Sequence, residues 1–380
     1  MTARIAFHAP LKPPDHENPS GDRRFARLLI EALCAGGFSV DVPSSLRTRN
    51  PDGSAARQQE IEEMASHETS RLCAALSADP PDLWFTYHNY YKAPDLVGPA
   101  VSRHLKIPYV LAEASHAPQR AQGEWARGSA LADAATVRAD LILQPNPKDM
   151  AGVEALGAGD RQVALKPFLD VKEQAAEAVD RDLHRDRFAR RFNLPRDTAW
   201  AVATGMMRHD SKRDSFLLLA DVADRIPRDR WQLILVGDGP ARPDIEAAFG
   251  EQSNVRFAGL LGPNDIRSLN AAGDLFIWPA LKEAFGMALL EAQAAGLPAI
   301  VGDRPGTRAI MQNGQTGILT PEGDVPSMAL AVRALIDDPD RRRRMGRAAH
   351  DHVLANHDIA AAATFLKQKL NQLIEPGHRQ

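Results

Sequence analysis

The segment 278–298 reads WPALKEAFGMALLEAQAAGLP and carries the clearest structural signal in the chain. Its apolar start predicts the end of a strand, and after a short loop a helix is expected to begin close to Gly286. The helix stops at Gly296, because glycine followed by proline two residues later is an ordinary helix termination. Only Glu291 and Gln293 are polar within the helix, so it is expected to be mostly buried. A strand followed by a buried helix predicts one βα unit of a parallel sheet.

The same alternation of short apolar strands and longer helical patterns runs along the whole chain. Strands are predicted at 4–8, 39–42, 83–87, 109–112, 141–143 and 163–165, and then at 201–204, 233–236, 255–258, 275–278, 299–301 and 317–319. Such alternation indicates parallel sheets covered by helices. Six strands in each half therefore predict an α/β protein with two doubly wound, Rossmann-like domains.

The predicted domain organisation has four parts. An N-terminal domain covers 1–170, a connection covers 171–197, a C-terminal domain covers 198–355, and a C-terminal helix lies within 356–380. The connection is highly charged and ends in Leu194-Pro195-Arg196, so we expect a helical link with a hinge near Pro195. The last helix is expected to be able to pack back on the N-terminal domain.

Composition restricts the class of protein. The 380 residues are 44% hydrophobic and 25% charged with a formal net charge of −3, which is typical of a globular protein and gives no indication of nucleic-acid binding. No apolar run approaches ~18 residues and no signal-peptide pattern is present, so we expect a cytoplasmic protein without a membrane span. Cys34 and Cys73 are too few for a disulfide framework and are predicted to be buried free thiols.

Four consecutive arginines, Arg341–Arg344, follow three nearby aspartates. The run is either a patch for an anionic membrane or a solvated helix face paired with those acids. We favour the solvated face, and peripheral membrane contact remains an alternative.

The two glutamates around the 278–298 loop are the first candidates for chemistry. Glu291 lies about one and a half turns inside the buried helix, where an unpaired carboxylate costs several kcal/mol. It is therefore paired with a distant Lys or Arg, or it accepts hydrogen bonds from the vicinal hydroxyls of a sugar or ribose. Glu283 lies at the carboxyl end of the strand, where ligands of open α/β sheets bind. Backbone N–H groups at Phe285, Gly286 and Met287 would face an anion at the helix N-terminus.

The same segment resembles the Glu-x7-Glu motif of the retaining family 4 glycosyltransferases. The resemblance rests on Pro279-Ala280-Leu281-Lys282-Glu283-Ala284-Phe285-Gly286, then Glu291, then Ala294-Ala295-Gly296-Leu297-Pro298. The family more often has Ser at position 280 and Gly at position 284, both small-for-small differences. This family has the GT-B architecture, in which two Rossmann-like domains face a central cleft.

Further motifs extend the resemblance over most of residues 199–355. They are Val236-Gly237-Asp238-Gly239-Pro240, Phe257-Ala258-Gly259, Ala272-Gly273-Asp274 and Asn313-Gly314-Gln315-Thr316-Gly317. Alone, the Gly237-x-Gly239 turn is weak evidence for any nucleotide-binding fold.

The resemblance implies roles for residues of the C-terminal domain. Glu291 would bind the nucleotide ribose, Glu283 would contact the transferring sugar as a catalytic residue, and the backbone at Phe285–Met287 would meet the diphosphate. Arg208 and Lys212 are the candidate cations for the diphosphate, although their spacing departs from the family's Gly-Arg and Lys pattern. The alternative is that both are solvated loop charges.

In the N-terminal domain, Gly21 looks like the glycine loop that GT-B enzymes place beneath the donor sugar. Asp22 stands where the family often has a second glycine, and it is equally a helix cap or a first-turn acid. The resemblance makes His116 a candidate catalytic residue next to the donor sugar, with Glu113 able to orient it. His88, Asn89 and Glu113 are the candidates for an acceptor pocket.

The predicted function is metal-independent transfer of a sugar, with retention of configuration, from a nucleoside diphosphate sugar to an unidentified hydroxyl acceptor. The acceptor is a saccharide, a lipid-linked molecule or a small molecule. The absence of an Asp-x-Asp motif at a strand end agrees with metal independence, and no cofactor is expected besides the sugar nucleotide. The alternatives are a non-catalytic GT-B partner subunit and a dinucleotide-dependent oxidoreductase, but neither half contains the Gly-x-Gly-x-x-Gly turn that an oxidoreductase needs.

Overall fold

The computed structural model describes residues 2–18, 20–283 and 286–375. The chain divides into two compact units, Met1–Lys166 with Ile359–Gln380 and Pro167–Asp358. Each unit contains one six-stranded sheet in which the paired strands are parallel. The predicted α/β class with two doubly wound domains is therefore confirmed.

The first unit begins with alternating strands and helices. They are β1 (Arg4–His8), α1 (Gly21–Ala35), β2 (Ser39–Asp41), α2 (Ala55–Leu76), β3 (Leu83–Asn89), α3 (Gly98–Leu105), β4 (Tyr109–Ala114), α4 (Ala126–Arg138), β5 (Leu141–Gln144), α5 (Pro147–Ala155) and β6 (Gln162–Ala164). The strand order is β2-β1-β3-β4-β5-β6. Every position of β4 and β5 is buried, as expected for parallel strands covered on both faces.

The second unit repeats the pattern with more helices. Its elements are α6 (Val171–Ala175), α7 (Arg181–Phe192), β7 (Ala199–Thr204), α8 (Ser211–Ala223), β8 (Trp231–Val236), α9 (Arg242–Phe249), β9 (Val255–Gly259), α10 (Pro263–Ala272), β10 (Leu275–Trp278), α11 (Met287–Ala294), β11 (Ala299–Gly302), α12 (Pro305–Arg308), β12 (Gly317–Thr320), α13 (Val325–Asp337) and α14 (Pro339–Asn356). The strand order is β12-β11-β10-β7-β8-β9.

Each sheet has a point where the strand order reverses. In the first unit the chain builds outward on both sides of the β1–β3 pair, and in the second unit it does so around the β7–β10 pair. At such a reversal, the loops that follow the two strands diverge and leave a crevice at the carboxyl edge of the sheet. These two crevices are where side chains can meet a ligand.

The last helix, α15 (Ile359–Ile374), belongs to the first unit and packs against α1. Its buried face consists of Ala362, Ala363, Leu366 and Leu370. A side chain at Gly36, just after α1, would lie 3.1 Å from the carbonyl oxygen of Ala363. Helices α1 and α15 are therefore packed together within one unit.

The segment 171–197, expected to be a connection, lies within the second unit, and the hinge near Pro195 stays a prediction. Arg181 donates to the carbonyl oxygens of Ala271 and Gly273 at 2.7 and 2.5 Å, and its other terminal nitrogen lies 2.9 Å from Asp274. Arg185 also binds Asp274, at 3.0 Å. The charges of α7 are thus used inside the second unit, and the division into units falls at 166/167 and 358/359.

Two further expectations concern the surface. The prediction that Cys34 is buried is wrong, because Cys34 lies on the exposed side of α1; Cys73 is half-buried. Within the arginine run, Arg343 is exposed and pairs with Asp340 at 2.5 Å, whereas Arg342 donates to the carbonyl oxygens of Leu335 and Ile336. Among the described residues, no helix is both long and apolar enough to cross a bilayer.

Candidate functional site

The crevice of the second sheet brings Lys212 and Glu283 together. Lys212 lies in the first turn of α8, which follows β7, and Glu283 lies in the loop that follows β10. Because β7 and β10 are neighbours at the reversal of strand order, their following loops meet at the same edge. The ammonium group of Lys212 forms an ion pair with Glu283 Oε2. The structure therefore joins two residues that the sequence places 71 positions apart.

Trp278, the last residue of β10, lines this ion pair. Its indole Nε1 donates to Glu283 Oε2 at 3.1 Å, and Lys212 Nζ lies 5.3 Å from the centre of its rings. Phe216 packs edge-on against the indole with a centroid distance of 4.9 Å. Aromatic surroundings reduce solvent screening, so charges at this position interact strongly with each other and with a ligand.

The loop that carries Glu283 has an unusual backbone. Ala280 and Lys282 have φ angles of 58° and 54°, in the left-handed region that non-glycine residues rarely occupy. The N–H of Leu281 donates to Ser215 Oγ at 3.2 Å and helps to hold this conformation. Strained backbone of this kind is maintained by its surroundings and is frequent in ligand-binding loops. Phe285, a predicted diphosphate contact, lies outside the described residues.

The helix α11 begins directly after this loop. Gly286 is its N-cap residue with φ of 75°, and no side chain of the described residues caps the helix there. The first backbone N–H groups of the helix, beginning at Met287, therefore give this end a partial positive charge without a side-chain acceptor. Glu291 follows one turn later and is only 6% exposed, as predicted from the apolar sequence around it.

A glycine turn after β8 supports the loop that leads to Lys212. Gly237 and Gly239 have φ angles of 136° and 150°, and a Cβ at Gly237 would overlap the carbonyl oxygen of Gly205. The N–H of Met207 donates to the backbone carbonyl oxygen of Asp238 at 3.0 Å, which links the two loops. The predicted Gly-x-Gly turn is thus used for close approach of two backbone segments.

Arg208, the other predicted diphosphate cation, is exposed and pairs with Asp210 at 3.0 Å. Asp210 also caps α8, since its carboxylate accepts a hydrogen bond from the N–H of Lys212 at 2.9 Å. In this structure Arg208 and Lys212 therefore do not act as a pair, although both lie on the loop and first turn after β7.

The crevice of the first sheet holds a second charged cluster. Asp22, in the first turn of α1 after β1, lies 3.2 Å from His88 Nδ1, near the carboxyl end of β3. Glu113, near the end of β4, lies 4.0 Å from the same nitrogen. His88 and Glu113 both have positive φ angles, 69° and 64°. Asp22 is therefore a first-turn acid, and the helix cap is Ser20, whose Oγ accepts from the N–H of Arg23.

The electrostatics of this cluster follow from its burial. Burial opposes a charge on His88, but the carboxylates of Glu113 and Asp22 outweigh it and raise the pKa of His88 to about 9. Burial also raises the pKa of the Glu113 carboxyl group. Glu113 Oε2 is buried and has no hydrogen-bond partner among the described residues. The cluster is therefore a cationic imidazole between two carboxyl groups, one of which has an unmet hydrogen-bonding capacity.

His116 lies near this cluster in sequence but has a different partner. Its Nδ1 lies 2.9 Å from Asp133 on α4, so Asp133 and not the predicted Glu113 orients the imidazole. Glu113 faces His88 instead. The adjacent Ser115 donates to Asp149 at 2.7 Å. No local pattern in the sequence distinguishes Asp133 as a partner, because it is one of several polar residues on a helix.

Two other predicted site residues have clear positions. Asn89 is fully buried: its amide donates to the carbonyl oxygen of Ala132 and to Thr136, and its Oδ1 accepts from the N–H of Asp95. All these contacts hold Asn89 in the interior, and its expected place in an acceptor pocket stays a prediction. Gly21 is the first residue of α1, and a Cβ there would meet no atom within 4 Å, so its surroundings are open.

A metal site was not expected from the sequence. Among residues 2–18, 20–283 and 286–375, no group of three or more His, Cys, Asp or Glu side chains is arranged to hold a metal ion. The charged groups gathered at the second crevice are instead an ammonium group, a carboxylate and the amino end of a helix.

A comparison with known families matches part of the second unit. Residues 199–338, which include both Lys212 and Glu283, match the family described as Glycosyl transferases group 1. This matched segment, residues 199–338, is called the group 1 domain below. This group 1 domain therefore holds the Lys212–Glu283 ion pair and α11.

The chain is also similar to curated relatives and to solved structures. The chain is 29% identical over 246 residues to an alpha-D-kanosaminyltransferase from Streptomyces kanamyceticus, an alignment that covers 64% of this chain and 62% of the relative, less than two thirds of its length. Sucrose-phosphate synthase from Thermosynechococcus elongatus superposes with a TM-score of 0.75 at 20% identity, covering 98% of this chain and 99% of the other. Anabaena HepE, solved in complex with UDP, gives 0.74 at 15% identity, covering 98% and 100%. The fold of the group 1 domain and of the chain is that of GT-B glycosyltransferases.

Proposed function

We propose that this chain is a glycosyltransferase that moves a sugar from a nucleoside diphosphate sugar to a hydroxyl acceptor with retention of configuration. The observation that carries the proposal is the position of Glu283 and Lys212 at the crevice of the group 1 domain, directly before the uncapped end of α11. A carboxylate suits sugar hydroxyls, and an ammonium group next to a helix N-terminus suits a diphosphate.

The donor contacts in this proposal follow from the chemistry of each group. Glu291 binds the ribose hydroxyls, and the backbone around Gly286 and Met287, with Phe285, binds the diphosphate. Lys212 moves from Glu283 to the diphosphate when the donor arrives, which leaves the carboxylate to accept hydrogen bonds from the sugar. Arg208 is mobilised in the same way from the exposed Asp210, since exposed ion pairs hold their partners weakly.

The reaction step is a displacement at the anomeric carbon of the sugar. The bond from this carbon to the diphosphate oxygen breaks, and the bond to the acceptor oxygen forms on the same face. The acceptor proton passes to the departing diphosphate. Positive charge from Lys212 and from the amino end of α11 stabilises the developing charge on the diphosphate. A metal ion is not part of the proposed mechanism.

The first unit supplies the acceptor contacts in this proposal. Glu113 Oε2, which is buried and has no hydrogen-bond partner among the described residues, accepts a hydrogen bond from the acceptor hydroxyl. The imidazole of His88 and the carboxylate of Asp22 determine the charge next to the Glu113 carboxyl group. His116, held by Asp133, contacts the donor sugar as the second catalytic residue.

A panel of sugar nucleotides tests the proposal directly. Thermal-shift measurements with nucleoside diphosphates and their sugars identify the donor, because a ligand that binds the folded state raises its stability. Release of nucleoside diphosphate is then measured with and without roughly 5 mM EDTA, which removes divalent ions. Turnover that persists with EDTA supports the metal-independent reaction; turnover restored only by added magnesium or manganese contradicts it. The anomeric configuration of the product, determined by NMR, tests retention.

A non-catalytic nucleotide-binding role is the second candidate. It is favoured by one observation: Glu283 and Arg208 both already have ion-pair partners in the structure. This candidate predicts a thermal shift with a sugar nucleotide. It also predicts that no nucleoside diphosphate is released when a cell extract is added as a source of acceptors.

A further inference from the structure

A row of aromatic rings leads away from the charged cluster of Asp22, His88 and Glu113 in the first unit. The ring centres of His88 and Tyr90 are 4.8 Å apart, those of Tyr90 and Tyr91 are 5.4 Å apart, and those of Tyr91 and Trp125 are 5.8 Å apart. Tyr90, Tyr91 and Trp125 are all half-buried. The row therefore connects the His88 cluster with a partly exposed aromatic pair, Tyr91 and Trp125.

Two cations lie on this aromatic pair. Lys92 Nζ is 4.8 Å from the ring centre of Trp125 and 5.8 Å from that of Tyr91. The guanidinium carbon of Arg120 is 4.8 Å from Trp125 and 5.5 Å from Tyr91. Both cations thus share the same two rings, although like charges at this separation repel each other.

The positive charges of Lys92 and Arg120 are not neutralised by the protein around them. Within the described part of the chain, neither Lys92 nor Arg120 has a carboxylate within ion-pair distance, and the hydrogen bond of Lys92 goes to the carbonyl oxygen of Pro51 at 3.1 Å. The indole Nε1 of Trp125 is buried and has no acceptor among the same residues. The cluster therefore contains two cations and one N–H donor whose hydrogen-bonding needs an anion would meet.

We propose that Lys92 and Arg120 bind an anionic group, a phosphate or a carboxylate, carried by the acceptor. This inference rests on the proposed function and adds the chemical class of the acceptor to it. The acceptor hydroxyl lies at the Glu113 and His88 end of the aromatic row, and the anionic group lies at the Tyr91 and Trp125 end. Apolar faces of a sugar or cyclitol ring pack on the tyrosines between them.

The test uses inorganic phosphate as the probe and the full-length protein without a nucleotide. Isothermal titration calorimetry compares the wild type with the Lys92→Gln/Arg120→Gln variant. We expect millimolar binding by the wild type and at least a tenfold loss in the double variant, as for removal of two charge-assisted contacts. Equal affinity in both proteins, or no binding by the wild type, would overturn the proposal.

Three further variants locate the binding. Arg57→Gln removes an exposed arginine of the same unit that pairs with Glu60, and it should leave phosphate affinity unchanged. Lys212→Met removes the cation that pairs with Glu283 in the group 1 domain, and a phosphate affinity that it leaves unchanged supports a site away from that ion pair. Arg120→Lys retains the charge and should keep most of the affinity; if the double variant does not fold, a loss in Arg120→Gln that Arg120→Lys reverses supports the site.

Vesicle sedimentation separates two sources of the anionic group. Phosphatidylcholine vesicles are compared with vesicles that also contain phosphatidylglycerol. Binding to the anionic vesicles that the double variant loses assigns the site to a lipid phosphate, and binding of free phosphate alone assigns it to a soluble acceptor. If the wild type releases nucleotide from no sugar donor while phosphate binding still depends on Lys92 and Arg120, the proposed function fails and the anion site stands.

Discussion

The ammonium group of Lys212 and the carboxylate of Glu283 form an ion pair across the point where the second sheet reverses its strand order. Both side chains are mostly buried, at 23% and 14% exposure. Such a pair is either a structural contact, whose disruption destabilises the fold, or two ligand-binding groups that neutralise each other until a substrate separates them. The two possibilities give different results in variants.

Glu283→Gln tests which possibility holds. If Glu283 contacts the transferring sugar, the substitution lowers turnover at least about 100-fold while the thermal midpoint changes little, because Trp278 can still donate to the amide oxygen. Nucleotide release and differential scanning calorimetry measure the two effects. Glu246→Gln, an exposed partner of Arg242 in the same unit, serves as the control. Unchanged turnover together with a large loss of stability would make the pair structural.

Lys212→Met tests the donor side of the pair. Loss of one charge-assisted contact to a diphosphate is expected to weaken nucleoside diphosphate binding by roughly tenfold, or about 1.4 kcal/mol. Calorimetric titration of the wild type and the variant measures this difference. Lys172→Met, at an exposed position of α6, is the matched control. Identical affinities of Lys212→Met and the wild type would exclude Lys212 from the diphosphate site.

The His88 cluster predicts a pH dependence of stability. The folded pKa of His88 is raised from 6.5 to about 9, so the stabilisation from its charge is fully present below pH 6.5 and is lost as the pH rises through about 9. We expect the free energy of unfolding to fall by on the order of 2 kcal/mol over this interval. Urea denaturation at several pH values measures the fall.

His88→Gln should flatten this part of the pH profile. His67→Gln, which changes an exposed histidine on α2, should retain the wild-type slope. The assignment to His88 would be refuted by the same slope in the wild type and in His88→Gln.

Asp274 is expected to be a major determinant of the stability of the second unit. Its carboxylate binds Arg181 and Arg185 and accepts from the N–H of Trp200 at 2.8 Å. Asp274→Asn leaves two guanidinium groups without their shared carboxylate, which is expected to cost about 3 kcal/mol. Chemical denaturation measures the loss. Asp337→Asn, at an exposed ion pair with Arg230, should cost less than about 0.5 kcal/mol, and an equal effect of both variants would contradict this expectation.

The sequence was sufficient to predict every strand of both sheets to within a few residues, because parallel strands buried on both faces read as short apolar runs. It also placed Glu283 and Glu291 correctly on a loop and a buried helix. These features depend on local pattern and on the ends of strands, which neighbouring residues determine.

Contacts between distant segments were not predictable in this way. Strand order determines which distant side chains meet, and the periodicity of the sequence does not reveal strand order. The pairs concerned are Lys212 with Glu283, His88 with Asp22, and His116 with Asp133. Asn89 lies at the end of a strand, as a ligand-binding residue would. Its side chain instead makes three internal hydrogen bonds, one of them to a residue 47 positions away. The charge of 171–197 suggested a helical connection between the domains, because composition does not reveal its acceptors, the carbonyl oxygens at the end of α10.

The packing of α15 on α1 has a consequence for biosynthesis. The helix that covers α1 is translated after the whole second unit, so a ribosome-bound chain can complete the second sheet while the apolar side of α1 is still uncovered. During that interval the nascent first unit exposes surface that chaperones recognise and that promotes aggregation. A stop codon before Ile359 would make this transient state permanent, even though every residue named in the two crevices would still be present.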